Sequence, residues 1–243
     1  MTWRGMMDTH AAGMSPAFNR ERPRPAPAPS DDKIRRRLPR KEREKLIVAE
    51  AIRFFAEVGF EGQTRALAER LGVTQPLLYR YFPDKEALIE RVYKEVFLNA
   101  WEPAWLDSLH DRSRPLADRL TEFYQAYSKA NFSYERVRLF MFAGLKDGSI
   151  ASRYMQYVRD HLFEPLCLEM RAELGLESEA PVSLEEIEMI AGLHGAVSYV
   201  GVRRWVYQAQ TPSDLEPVFG ELVRTFLKGI GDSYRRFAPS AMK

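Results

Sequence analysis

Thr64-Arg65-Ala66-Leu67-Ala68-Glu69-Arg70-Leu71-Gly72-Val73-Thr74-Gln75-Pro76-Leu77-Leu78-Tyr79-Arg80-Tyr81-Phe82 is the stretch from which the fold is read. Thr64 to Leu71 reads as a short helix. Gly72-Val73 makes a tight turn, which needs a glycine to reverse the chain. Thr74 is a good N-cap, and Pro76 falls in the first turn of a second short helix, where its missing N–H costs nothing. That helix ends near Tyr81-Phe82-Pro83. Leu67, Ala68, Leu71, Val73 and Leu78 supply the inward positions. Gln75, Arg80 and Tyr81 are left outward, and a glutamine amide can bridge N6 and N7 of adenine. Two short helices joined in this way form a helix-turn-helix.

The flanks are helical as well. Ile47, Ala51, Phe54 and Phe55 recur at three- to four-residue spacing from residue 40 onward, and Gly59 stops that helix. Asp84 caps a longer helix with Leu88, Val92 and Val96 on one face. Further helical runs are expected at about 116–131, 134–146, 149–174, 183–209 and 214–237. The breaks fall at Arg114-Pro115, Asn131, Asp147-Gly148, Gly175 through Pro181, and Thr211-Pro212. No stretch alternates as a strand requires. The expected fold is all-α, with an N-terminal three-helix helix-turn-helix domain over 40–86 and a C-terminal helical domain over 87–239. Residues 1–39 hold a proline at every second position over 23–29 and read as a disordered tail, in which Met6, Met7 and Met14 are alternative start positions.

The single cysteine, Cys167, excludes an intrachain disulfide framework and any multi-cysteine metal site. The longest nearly apolar run, Met189 to Val202, is too short and too polar to span a bilayer. No signal-peptide pattern opens the chain. The expectation is a cytoplasmic protein without a membrane partner. Net charge is +2, but it is unevenly spread. Residues 33–94 carry fifteen basic and nine acidic side chains, whereas 95–243 carry seventeen and twenty-one. The excess is concentrated in residues 33–45, and their basic arm, 33–43, either tracks a polyanion or is simply solvated.

Beyond the helix-turn-helix itself, Ile47-Val48-Ala49-Glu50-Ala51-Ile52-Arg53-Phe54-Phe55-Ala56-Glu57-Val58-Gly59-Phe60, Leu67-Ala68, Leu71-Gly72-Val73-Thr74, Leu78-Tyr79-Arg80-Tyr81-Phe82 and Asp84-Lys85-Glu86-Ala87-Leu88 together resemble the TetR family of transcriptional regulators. The resemblance implies roles residue by residue. Thr64 would contact phosphate and Arg65 would read guanine. Gln75 and Pro76 would read an adenine and pack on a thymine methyl. Leu77 could touch another methyl, and Thr74 belongs to the same interface. Tyr79 and Tyr81 are both candidate DNA contacts, of which the first is expected to pack as well and the second to touch phosphate. Lys85 would bind phosphate at a helix N-terminus, where free N–H groups also favour an anion. There are two departures. Gln63 stands where the family usually has a hydroxyl residue. The Gly62–Thr64 loop is one residue shorter than in the family's namesake.

The same resemblance implies that the C-terminal domain binds a small effector and dimerises. Small residues crowd the 183–209 helix, and Ala191, Gly195 and Ser198 are the candidate dimer contacts. Aromatic residues crowd 101–170. Trp105, Phe123, Tyr127, Phe142, Tyr154 and His194 are the candidate pocket, suited to an apolar or aromatic effector. His161 and Glu164 lie one turn apart but read as a satisfied pair rather than a metal site. No metal and no cofactor is called for. The chain has no Gly-rich phosphate loop and no nucleophile–base arrangement, so an enzyme is not expected. The expected partners are an inverted-repeat operator in double-stranded DNA, a second copy of the chain and an unknown effector, with a probable-repressor role implied by the resemblance. The alternative is a helical dimerisation or adaptor module without specific DNA binding.

Overall fold

α1 (Arg40–Val58) buries Ile47, Val48, Ala51, Phe54 and Phe55 along one face, as their spacing requires. The computed structural model describes residues 39–99, 104–146, 148–176 and 179–238, so the tail expected over 1–39 lies outside them except for Pro39. After α1 come α2 (Thr64–Arg70), α3 (Gln75–Tyr79) and α4 (Lys85–Tyr93), which runs on through a π-helical turn, Lys94–Leu98. The body consists of α5 (Ala104–His110), α6 (Leu116–Asn131), α7 (Tyr134–Lys146), α8 (Ser149–Val158), a second π-helical turn (Arg159–Phe163), α9 (Glu164–Glu173), α10 (Leu184–Trp205) and α11 (Glu216–Tyr234). The fold is all-α, and no strand occurs among the described residues. None of the described helices is long and apolar enough to cross a membrane.

The helix ends depart from the periodicity where polar contacts intervene. The helix expected over 183–209 stops at Trp205. Its indole N–H donates to the Phe132 carbonyl at 2.6 Å, and Arg204 Nε donates to Thr211 Oγ1 at 2.7 Å. The run expected at 149–174 is interrupted by its π-helical turn. The short α5 was not expected: seven residues with only Trp105 and Leu109 buried are too few to show a period.

α1 packs on α4 and α7, α6 on α5 and α11, and α10 on α7, α9 and α11. Two buried ion pairs fix α9 within the body. Arg171 on α9 donates from Nε to Glu186 Oε1 at 2.7 Å, and both side chains are fully buried. Glu186 also closes the capping box of α10: it accepts from Ser183 N at 2.9 Å, while its own N–H donates to Ser183 Oγ at 3.2 Å. Arg171 further donates to the Ala180 and Pro181 carbonyls at 2.7 and 3.1 Å, which ties down the segment entering α10. The second pair joins Glu169 to Arg119 on α6 at 2.7 Å and to Arg112 at 3.1 Å.

Burial alone would raise both carboxyls, but the bonds from Arg171 and Ser183, and from Arg112 and Arg119, outweigh it and hold them below the usual carboxylate range. A carboxyl lowered on folding contributes stability above its unfolded pKa, ordinarily near 4.5, and that contribution is lost as pH falls through the folded value. Urea unfolding should therefore show a stability that drops below about pH 4.5. Arg171→Met strands the buried Glu186 charge and should cost about 3–5 kcal/mol at pH 7. In that variant the acid sensitivity due to Glu186 should disappear.

Candidate nucleic-acid interface

The turn between α2 and α3 is built on Gly72, which takes φ +65°. Val73 N donates back to the Ala68 carbonyl at 3.0 Å, closing the reversal. Leu67, Ala68, Leu71 and Leu78 are buried beneath it. Thr74 Oγ1 accepts from Leu77 N at 3.4 Å and starts α3. α2 is anchored to α1 by Arg70, which donates to Glu57 at 2.6 and 2.9 Å and also pairs with the buried Glu50. Those bonds hold the Glu57 carboxyl below its ordinary range. Arg53 closes the group with a 2.6 Å contact to Glu50.

The two helices are stitched together by polar side chains on their shared edge. Tyr79 and Thr64 share a hydroxyl–hydroxyl bond of 3.0 Å, and the Gln75 amide donates to Thr64 Oγ1 at 2.9 Å. Thr64 is thus buried and internally bonded. Tyr79, expected to pack, is instead 39% exposed with its hydroxyl at the centre of this cluster. Arg65 is exposed and sits 3.2 Å from the equally exposed Glu69, a pair that water and salt weaken. Thr74 and Pro76 are exposed, while Leu77 and Tyr81 are half-buried. The Arg40 guanidinium lies over the Tyr81 ring at 5.7 Å. Asp84 Oδ1 accepts from Ala87 N at 2.6 Å, so α4 begins with Lys85 at its first position. The first-turn N–H groups there have no partner in the helix ladder.

Residues 47–92 match the family described as bacterial regulatory proteins, tetR family. The chain is 42% identical over 73 residues to the tetracycline repressor protein class A from transposon 1721 of Escherichia coli, covering 30% of each chain. It is 37% identical over 86 residues to the class C tetracycline repressor of Escherichia coli, covering 35% of this chain and 34% of that one. The helix-turn-helix segment is thus similar to that of the tetR family. The chain spans about a third of the length of the curated relatives it matches. The likeness of fold reaches further. A TetR-like transcriptional regulator from Rhodococcus superposes with a TM-score of 0.57 at 20% identity over 79% of this chain and all of that one. A tetR-family regulator from Streptomyces coelicolor gives 0.56 at 18% identity over 81% and 85% of the two chains.

The helix-turn-helix is joined to the body through α7. Arg138 Nε donates to the Ala56 carbonyl at 2.6 Å and Nη2 to the Glu57 carbonyl at 3.3 Å, capping the last turn of α1. Phe142 packs beside them against Gly59. On the other side Arg153 of α8 pairs with Glu90 of α4 at 2.9 Å and lies over the Tyr93 ring at 4.4 Å.

Of the six candidate pocket residues, the structure brings five together. The Tyr127 ring touches Trp105 at 5.9 Å, Phe123 at 5.6 Å and His194 at 5.2 Å between centroids. Its hydroxyl lies 3.5 Å from that of Tyr154. Burial pushes the His194 imidazole down to about 4, so it is neutral at pH 7. Phe142 stands apart, on Gly59 at the joint just described. The small residues of α10 divide between two faces. Gly192 and Gly195 have open space where a Cβ would stand, and Ala196 and Tyr199 are exposed beside them. Gly201 lies against Val137, which a Cβ would meet at 3.1 Å. Ala191 and Ser198 are half-buried on the flanks. An apolar groove lined by Gly192, Ala196, Pro217, Val218, Leu222 and Phe226 runs between α10 and α11. His161 stacks on Tyr157 at 4.0 Å, and Glu164 pairs with Arg159 at 3.2 Å.

Sequence reasoning passed over Arg136, Arg138 and Phe97. A signal existed for Arg136: its helical neighbours three and four residues away are Phe132, Ser133, Leu139 and Phe140, none of them acidic. Arg138 gave none, since its partners lie 82 and 81 residues away.

Gly59 combines φ +81° and ψ 172°, a region essentially confined to glycine, with a Cβ position 3.2 Å from Phe142. Gly59→Ala should cost about 1–3 kcal/mol in urea unfolding. Adding Phe142→Leu should relieve only the contact and leave the backbone cost in place.

Proposed function

We propose that this chain is a dimeric transcriptional repressor that binds an inverted-repeat operator and is released by a small effector. The observation that carries the reading is the helix-turn-helix with Arg65 and Pro76 exposed, Gln75 and Leu77 part-exposed at the start of α3, and Lys85 at the capped start of α4. In this reading residues 40–86 bind DNA and 87–239 hold the effector and the dimer contacts. Lys85 and Tyr81 position the motif on phosphate, and Arg65 and Gln75 read base edges in the major groove. Thr64 acts chiefly by holding Gln75 and Tyr79. Arg40, the described end of the basic arm, stacks on Tyr81 and so continues the phosphate-facing surface.

One helix-turn-helix has too little surface for tight specific binding, and two-fold pairing supplies a second half-site. Gly192, Gly195, Ala196 and Tyr199 recur at helical spacing on the open side of α10, next to the groove against α11. That is an apolar face with room for a neighbouring helix. The aromatic cluster around Tyr127 is the effector site of this reading. α4 reaches it through Phe97, which lies 4.9 Å from the Tyr154 ring. A ligand there would shift α4 and the Arg138 clamp together and change the spacing of the two recognition motifs.

Footprinting on the fragment upstream of its own gene, with competitor DNA at two salt concentrations, should show an inverted repeat whose protection weakens with salt. No binding at low salt, there or to a random-sequence pool, would favour the adaptor reading. Lys85→Ala should weaken binding to all sequences and reduce the salt slope by about one. Arg65→Ala should relax the preference at a single position of each half-site. Gly195→Glu should yield monomers by analytical ultracentrifugation that no longer protect the operator. A stable DNA-binding dimer of that variant would place the interface elsewhere.

A further inference from the structure

Arg136 lies on α7 with its guanidinium 5.8 Å from the Phe97 ring centroid and within reach of the Tyr154 and Tyr127 phenols. Among the described residues no carboxylate pairs with it. Arg136 is half-buried, and that burial pulls the guanidinium below its ordinary pKa. It nevertheless stays charged, as arginine does in proteins. Tyr127 cannot serve as its counter-ion: burial raises that phenol well above the usual range, so it remains neutral. A partly desolvated cation held by a ring face and hydroxyls, with no carboxylate, is costly in the empty protein, and an anion offsets that cost.

A second polar feature faces the same cluster. Tyr124 Oη and His194 Nδ1 are buried and lack hydrogen-bond partners among the described residues. His194 sits 5.2 Å from Tyr127 and 5.3 Å from Phe163 between ring centroids, and Tyr124 sits 6.1 Å from His194. Buried polar atoms without partners call for an explanation, and a bound molecule provides one. Tyr127 spans the two features, touching His194 with its ring and Tyr154 with its hydroxyl. Both π-helical turns, a form of distortion frequent at functional sites, deliver an aromatic side chain here: Phe97 from the first and Phe163 from the second.

We propose that Arg136 is the anion anchor of the effector site, and that the effector is a monocarboxylate with an aromatic or otherwise apolar skeleton. The carboxylate lies in the fork of Arg136 beside the Tyr154 hydroxyl. The skeleton runs along Tyr127, and a hydrogen-bonding group on it meets Tyr124 and His194. Arg136 is one guanidinium, and its one charge matches one negative charge, which favours a carboxylate over a phosphate. The proposal rests on the effector-site reading above and gives that site its ligand class.

The test uses matched acid and amide pairs on the full-length protein: 2-naphthoate against 2-naphthamide, and decanoate against decanamide. Isothermal titration and thermal unfolding are run on the wild type, Arg136→Met and Arg136→Lys. An acid should bind the wild type about 10- to 100-fold tighter than its amide, the value of a charge-assisted bond to a buried partner, and should raise its Tm. Arg136→Met should erase that preference while leaving amide affinity unchanged. Without ligand it should unfold at the same temperature as the wild type or higher, because it removes an unpaired cation. Arg136→Lys, which keeps the charge without the fork, should retain part of the preference. Equal affinity for acid and amide in the wild type, or a preference that survives Arg136→Met, would overturn the anchor while leaving an apolar effector site standing. Failure of both pairs to bind the wild type would overturn the anchor and the effector site together.

Discussion

The contact on which the rest of the architecture depends is the cap that Arg138 places on the end of α1. Four carbonyls at a helix C-terminus lack partners in the helix itself. Here two of them, Ala56 and Glu57, are served by a guanidinium from another part of the chain. The first helix of the helix-turn-helix domain is therefore finished by the body. Phe142, one turn further along α7, closes on Gly59 at the same point. α2 in turn hangs from α1 through Arg70, Glu50 and Glu57. A displacement of α7 is thus transmitted to the motif through hydrogen bonds and an aromatic ring, not through a flexible linker.

α7 and α4 converge on the Tyr127 cluster from different directions. Arg136 and Phe140 of α7 and Phe97 of α4's π-helical turn all lie against one another or against Tyr154. Arg138 is two residues from Arg136, so one short helix carries both the group facing the cluster and the group holding α1. α4 carries Lys85 at one end and Phe97 at the other. Packed interiors respond to a ligand by switching between discrete arrangements, not by continuous deformation. Two helices that link the same pair of regions constrain those arrangements jointly.

Much of this was legible in the sequence, and the parts that were not share a cause. The helix-turn-helix could be read because each of its requirements is local: Gly72 for the turn, Thr74 and Asp84 for caps, and Leu67, Leu71 and Leu78 at helical spacing. The boundaries of α6 and α7 were legible because Pro115, Asn131 and the Asp147-Gly148 break punctuate them. The helix over 183–209 was drawn too long because its stop depends on Trp205 finding the carbonyl of Phe132, 73 residues away. Phe142 was grouped with the pocket because composition cannot say which way an aromatic faces. The crowd of small residues on α10 looked uniform, yet Gly201 serves packing on α7 whereas Gly192 and Gly195 stand open. Tyr79 was read as packing, but its hydroxyl is drawn outward by Thr64 and Gln75.

That last cluster adds a cost to the proposed reading of DNA by Gln75. One N–H of the Gln75 amide is already given to Thr64, with Tyr79 alongside. In the proposed interface a base edge would have to offer the amide a donor and an acceptor together to replace that internal bond. Discrimination would then be set as much by what the free protein already holds as by what the groove presents.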